Sequence, residues 1–434
     1  MGERPRRSTR ARSILRGVPL AMLCTIVVAA LVARRATNVR SGDVTTTQAR
    51  PATTWTPPVS SGPTVFDAPL RGPSPPPKAE VPPGAPRTLH GGPRRTHRAA
   101  ARGPEKAQSA WRVRVEGPVA AQVTVSPDEA TLYVATLAGD VVALSREDGS
   151  RRWSATLGDR VYSTPLVHDD GTLYVGTDAK KLVALSAKGQ TIFRLETAGE
   201  ADTAPVFGKD GTIVFAAGKD VYSVRRGGDI AWRFTARNKV FTAPAITEGG
   251  LVIVGSQDHH VHAIDSGGVL AWTIDLGADV DGGPTIADDG SIYVGTDAGD
   301  VVKLGAGGHL AWRTPVGGFV RGSLSVARNG DVLAGTYGPV PRVVRLSPDG
   351  ALRGAFAIRG TGAREFGIHG GPLEDEQGVL YFGAQDDTVY AVGPDGALRW
   401  RFETGGDVDA PLTMLSDGSV VVPSEDGTVT LLLP

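Results

Sequence analysis

The sequence predicts an all-β fold: one eight-bladed β-propeller of four-stranded units over residues 108–434. Three observations predict it. Aromatic anchors recur at a fixed period, each period holds four short strand signals, and the two ends of the region complete one another. Trp111 to Trp153 is 42 residues, and Trp232, Trp272 and Trp312 follow one another at 40. Phe193 fills the intermediate slot, 40 after Trp153 and 39 before Trp232. The phrase Asp349-Gly350-Ala351-Leu352-Arg353 recurs at Asp395-Gly396-Ala397-Leu398-Arg399, where Trp400 follows. Gly354 therefore stands where a tryptophan is missing, and the anchors number eight: 111, 153, 193, 232, 272, 312, 354 and 400.

The unit after Trp232 shows the internal pattern. Strand signals run over Val240–Ile246, Leu251–Ser256, Val261–Asp265 and Val269–Trp272, divided by polar or glycine-rich turns. Short β-branched runs separated by Gly and Asp are read as strands. Asp170-Gly171, Asp210-Gly211, Asp289-Gly290, Asn329-Gly330 and Asp417-Gly418 mark hairpin tips at one phase, where positive φ is needed. Four-stranded units of this length stack radially as blades.

After Trp400 only three strand signals remain, at Ala410–Leu415, Ser419–Val422 and Thr428–Leu433. Ala110–Val115 has no three strands before it, so it supplies the missing fourth. The ring then closes without an unpaired sheet.

Residues 1–36 read as an export element. Arg4, Arg6, Arg7, Arg10, Arg12 and Arg16 precede the apolar run Gly17–Ala33, and Arg34 and Arg35 follow. This is the layout of a signal peptide, cleaved near Val28-Ala29-Ala30, or of a retained anchor. The arginines after the run favour the anchor, with the N-terminus inside and the propeller outside the cytoplasm. Residues 37–107 are proline-rich, with sparse apolar residues. They read as a disordered, extended linker whose basic residues Arg94, Arg95, His97, Arg98 and Arg102 are solvated.

The charge divides with the chain. Residues 1–110 hold 18 Lys/Arg against 5 Asp/Glu, and residues 111–434 hold 28 against 41. An acidic propeller excludes nucleic acid as its partner. Its only cysteine neighbour in the chain is Cys24, in the apolar run, so no disulfide or thiolate site exists in it.

Leu173-Tyr174-Val175-Gly176-Thr177-Asp178, followed by Leu182-Val183-Ala184-Leu185, resembles the PQQ-type propeller repeat. Ile292-Tyr293-Val294-Gly295-Thr296-Asp297 and Leu380-Tyr381-Phe382-Gly383-Ala384-Gln385-Asp386 repeat it. The resemblance covers 108–434 and implies the fold. The family has a quinoprotein dehydrogenase branch, with quinone and calcium. It also has a non-catalytic branch that includes the propeller subunit of the outer-membrane β-barrel assembly machinery. Adjacent cysteines and a Glu–Asn–Asp calcium set, which mark the first branch, are not found. The resemblance thus implies a scaffold without cofactor.

Candidate functional residues are few. His259-His260-Val261-His262 is metal-like, since alternate strand residues share a face, but its slot in other units is a polar turn. Asp279/Asp281 and Asp407/Asp409 are paired carboxylates beside glycine and read as turn chemistry. Three residues before Pro165, Pro205, Pro244, Pro284 and Pro372 stand Tyr162, Asp202, Phe241, Asp281 and His369. Arg321, Ala120 and Asp409 take the same place if one gap is allowed. Tyr162, Asp202, Phe241, Asp281, Arg321, His369 and Asp409 are therefore expected at a channel mouth, where they face a partner or pair with one another. The segment Arg359–Ile368 lengthens one unit to 46 residues, as a binding loop or as slack.

The expected function is a non-enzymatic, extracytoplasmic, membrane-tethered and monomeric scaffold for an envelope protein, with no cofactor. A glycan-binding propeller and a quinoprotein oxidoreductase are the alternatives.

Overall fold

The computed structural model describes residues 87–434. The apolar run with Cys24 and the linker residues 37–86 lie outside them. The described chain forms eight antiparallel sheets of four strands each. Blades 1 to 7 span Thr124–Thr156, Leu166–Glu196, Val206–Thr235, Ala245–Asp275, Thr285–Pro315, Ser325–Ala357 and Leu373–Glu403. Blade 8 joins Thr413–Leu432 to Ser109–Arg114, which pairs antiparallel with Thr428–Leu432. The expected closure is present. Among the described residues no helix is long and apolar enough to cross a membrane.

Blades pack face to face, so their inner three strands have both faces covered and are almost wholly buried. Only the outermost strands alternate, as in Arg151–Thr156 and Leu270–Asp275. The core is accordingly a set of layers between blades. One layer sets Ile253 and Val261 of blade 4 against Ile286 and Val294 of blade 5. The glycine of the Tyr-Val-Gly phrase is fixed by this packing. A Cβ on Gly255 would stand 2.5 Å from Val280 Cγ1, and one on Gly295 2.5 Å from the Val320 carbonyl oxygen.

The anchors clasp each blade to the next. Trp111 lies over Gly149, Trp153 over Gly189, Phe193 over Gly228, Trp232 over Gly268, Trp272 over Gly308 and Trp312 over Gly350. Each of these glycines has positive φ, which a side chain would strain, and all but Gly228, where the contact is merely tight, have no room for a Cβ. Indole N–H groups of Trp111, Trp153 and Trp312 donate to the carbonyls of Arg146, Ala187 and Pro348 in the next blade's turn. Trp400 meets the N-terminal segment instead and donates to the Pro104 carbonyl at 2.8 Å.

The innermost strands are shorter than expected. Of Val240–Ile246, only Ala245–Ile246 pairs as strand. Upstream, a hydroxyl replaces the ladder: Thr242 Oγ1 accepts from Gly255 N at 2.8 Å and donates to the Gly255 carbonyl at 3.0 Å. Thr203 does the same with Ala216.

The linker expectation for 37–107 needs correction at its C-terminal end. Residues 87–99 fill the channel and touch all eight blades. The carbonyls of Arg87, Pro93, Arg94, Thr96 and His97 accept from the backbone N–H of Val167, Ile246, Ile286, Val326 and Glu374. These donors lie on the channel-side edge of the innermost strands, which would otherwise be open. Thr88 donates to the Pro205 carbonyl, and His90 N donates to Gln122 Oε1. Arg95, expected to be solvated, is fully buried and donates to the carbonyls of Pro244, Leu89 and Ala204 at 2.6, 3.2 and 3.1 Å. His97 is also buried, with Nδ1 2.8 Å from the Gly371 carbonyl and Nε2 3.1 Å from that of Leu412. Its ring stacks on His90 at 4.0 Å.

Candidate functional site

The segment just before each innermost strand lines one mouth of the channel. The strands begin at Thr124, Leu166, Val206, Ala245, Thr285, Ser325, Leu373 and Thr413. Ala120, Tyr162, Asp202, Phe241, Asp281, Arg321, His369 and Asp409 each stand four residues earlier. The alignment gap allowed from sequence is unnecessary: the eight positions are in structural register.

A second ring lies beside the first and was missed by sequence reasoning. It is made of the residues that leave each second strand: Leu137, Asp178, Gly218, Gln257, Asp297, Tyr337, Gln385 and Glu425. Each donates its backbone N–H to the carbonyl two residues before the first-ring position of its own blade, as Asp297 does to Asp279 and Glu425 to Asp407. Side chains pair instead with the first-ring position of the following blade. Gln257 Nε2 donates to Asp281 at 3.2 Å, and Gln385 Nε2 to Asp409 at 3.1 Å. Arg321 grips both carboxylate oxygens of Asp297 at 2.8–3.1 Å and also bonds Glu365. Tyr337 Oη lies 2.7 Å from His369 Nδ1. The partners are 24 residues apart in sequence, or 32 across the long unit. That recurring offset is the signal that could have found them.

Carboxylates dominate this mouth. Asp178, Glu200, Asp202, Asp279, Asp281, Asp297, Glu365, Asp407, Asp409 and Glu425 outnumber the nearby cations Arg160, Lys239, Arg321 and Arg364, the last two stacked on Phe319. Arg160 pairs with Asp178 at 2.8 Å. Burial, with Asp178 alongside, pushes the Asp202 carboxyl up to about 8. Burial with neighbouring negative charge pushes Asp407 and Glu425 up to about 7. Asp281 and Asp409 are held at about 6 by burial, in spite of the amides donated to them. One oxygen of each of Asp178, Asp202, Asp281 and Asp409 is buried without a partner. Charged groups of one sign forced together in this way bind protons or seek a cation.

The remaining expected residues are apolar. Tyr162 is half-buried beneath Arg160, 5.8 Å from its guanidinium. Phe241 is 41% exposed with the Lys239 ammonium 5.2 Å from its ring centre.

Asp279, Asp281 and Asp297 place ligand atoms within 4.8 Å of one another, the only such group among the described residues. Arg321 already neutralises one member and Gln257 ties another. The histidine cluster is less metal-like than its sequence. His260 and His262 lie on a strand, not in the turn, and stack at 5.7 Å. His262 spends both nitrogens, on Asp258 and Thr273, and His260 Nδ1 meets the Asp258 carbonyl at 2.6 Å. It is a satisfied hydrogen-bond group that carries a local shape.

The comparisons agree with this architecture. BamB from Moraxella catarrhalis superposes with a TM-score of 0.62 at 20% identity, covering 75% of this chain and 97% of that one. Sqt1 from Saccharomyces cerevisiae gives 0.64 at 11% identity, with 75% and 99% covered. A europium-containing methanol dehydrogenase gives 0.63 at 12% identity, with 78% and 89% covered. At these identities the likeness is one of fold. No curated protein matches the sequence significantly. The family model described as outer membrane protein assembly factor BamB matches residues 98–203, 182–272 and 257–351, over half of the chain. The chain belongs to that BamB-like family of PQQ-type repeat propellers.

Proposed function

We propose that the protein is a non-enzymatic, extracytoplasmic scaffold that docks a protein partner at the acidic channel mouth, in cell-envelope assembly. The observation that carries this reading is the double ring of half-buried carboxylates at the channel mouth, four of them with one oxygen buried and unpartnered among the described residues. A lysine- or arginine-bearing segment entering there would relieve that charge. The family's description as an assembly factor supports the same reading. The N-terminal apolar run would hold the propeller at a membrane.

The test is capture from envelope extract by the full chain and by an Asp202→Asn/Asp281→Asn/Asp409→Asn variant. Added quinone and calcium form a parallel arm. A specific partner is expected to bind the wild type, to weaken steeply with salt and to be lost by the variant. Equal capture by both proteins rejects the mouth. Quinone-dependent dye reduction rejects the scaffold altogether.

A further inference from the structure

Eight seams join the eight blades, and seven are clasped by an aromatic side chain. Six aromatic rings lie over a positive-φ glycine of the following blade, and the seventh, Trp400, is held by Pro104. Among the described residues the seam between blades 6 and 7 has no clasp. Gly354 stands at the anchor position, and nothing approaches within 4 Å of where its Cβ would be. The glycine opposite, Gly396, keeps the turn geometry of the others, with φ +80, yet its Cβ direction is also empty. The consequence is visible in burial: Gly396 is exposed, whereas the six clasped glycines are buried or half-buried.

The vacancy keeps the features of an occupied socket. Pro394 stands two residues before Gly396, as Ala187 and Pro348 stand before Gly189 and Gly350, and those two carbonyls accept an indole N–H. Leu352 at the lip is 61% exposed. Arg345 lies directly across the strand pair from Gly354, as Lys303 lies across from Trp312. Its guanidinium is fixed by Asp331 at 2.6 Å, where a ring over it would gain a cation–π contact. The same strand supplies Phe356, but that ring turns to Phe382 and Tyr390 and leaves Gly396 uncovered.

We propose that the seam between blades 6 and 7 is a docking socket for an aromatic side chain, tryptophan above all, presented by a protein partner. The partner's ring takes the place over Gly396 that the chain's own aromatics take over the equivalent glycines. This surface lies on the outer wall and stands or falls apart from the channel mouth.

The test titrates N-acetyl-tryptophan amide, with N-acetyl-alanine amide as control, into the full chain while amide resonances are followed. The expected result is saturable shifts centred on Gly354 and Gly396, absent with the alanine compound. Gly354→Trp should fill the socket, raise the thermal midpoint and weaken probe binding about tenfold or more. Gly354→Leu, a smaller filling, provides the same competition if the tryptophan variant folds poorly. Shifts that avoid Gly396, or equal binding by both filled variants, overturn the proposal. Sedimentation of the wild type without probe tests a second copy as the occupant. A dimer that Gly354→Trp dissolves would assign the socket to a second copy and overturn the partner form.

Discussion

At the scale of single residues, the repeat phrase has a steric meaning. Tyr-Val-Gly ends in glycine because the neighbouring blade's backbone occupies the space of a Cβ. Gly295→Ala is expected to destabilise by about 1–3 kcal/mol, the usual cost of overpacking, as read from urea unfolding. The channel-mouth acids carry a pH signature. Asp202 has a folded-state pKa near 8, well above the ordinary 3.8. The folded state therefore binds more protons than the unfolded state between those values, and stability falls as pH rises through the upper one. Asp202→Asn removes this dependence. The variant should match the wild type near pH 5 and exceed it at pH 8.5, by denaturant midpoint. The first ring was legible in sequence because one position varied among neighbours that are uniformly apolar or small, such as Val161, Val240, Val280 and Val320. The second ring was not, because Gln257 and Asp281 meet only once two blades are stacked.

At the scale of elements, the lesson concerns residues 87–99. Their arginines and prolines have the composition of a solvated spacer, and composition is all that a sequence offers there. The partners of Arg95 are carbonyls of Ala204 and Pro244, more than a hundred residues away. No local pattern encodes such an arrangement. Burial lowers the Arg95 pKa to about 9, so the charge is tolerated only through those bonds. Arg95→Met should cost about 2–3 kcal/mol, since it strands buried carbonyls; thermal unfolding of the full chain measures this. Burial holds His97 at about 4 and His90 well below its usual value. The unfolded state thus binds more protons between about 6.5 and 4, and the docked segment loses stability as pH falls through that window. Hydrogen exchange of the 87–99 amides, corrected for intrinsic rate, should show less protection at pH 5 than at pH 7.5. Equal protection would disprove this. The four-strand unit, by contrast, was legible throughout, because turn chemistry and β-branched runs are local.

At the scale of the whole molecule, blade 8 is built from both ends of the described chain, with Arg112 opposite Thr430 and Val113 opposite Val429. Deleting residues 1–114 should leave Thr428–Leu432 as an open edge and the innermost strands without their bonds to 87–99. The expected outcome is self-association in size-exclusion chromatography, with pairing-competent edges as the cause. A soluble monomer with native circular dichroism would show that the ring holds without its latch. Eight blades and their closure were readable because aromatic spacing survives any surface variation. The order of events is a further matter. The first strand of the ring is synthesised long before its only partner, and the channel segment before any of its eight. Neither has its full set of partners until Leu432 has been made, so the ring closes in one late step.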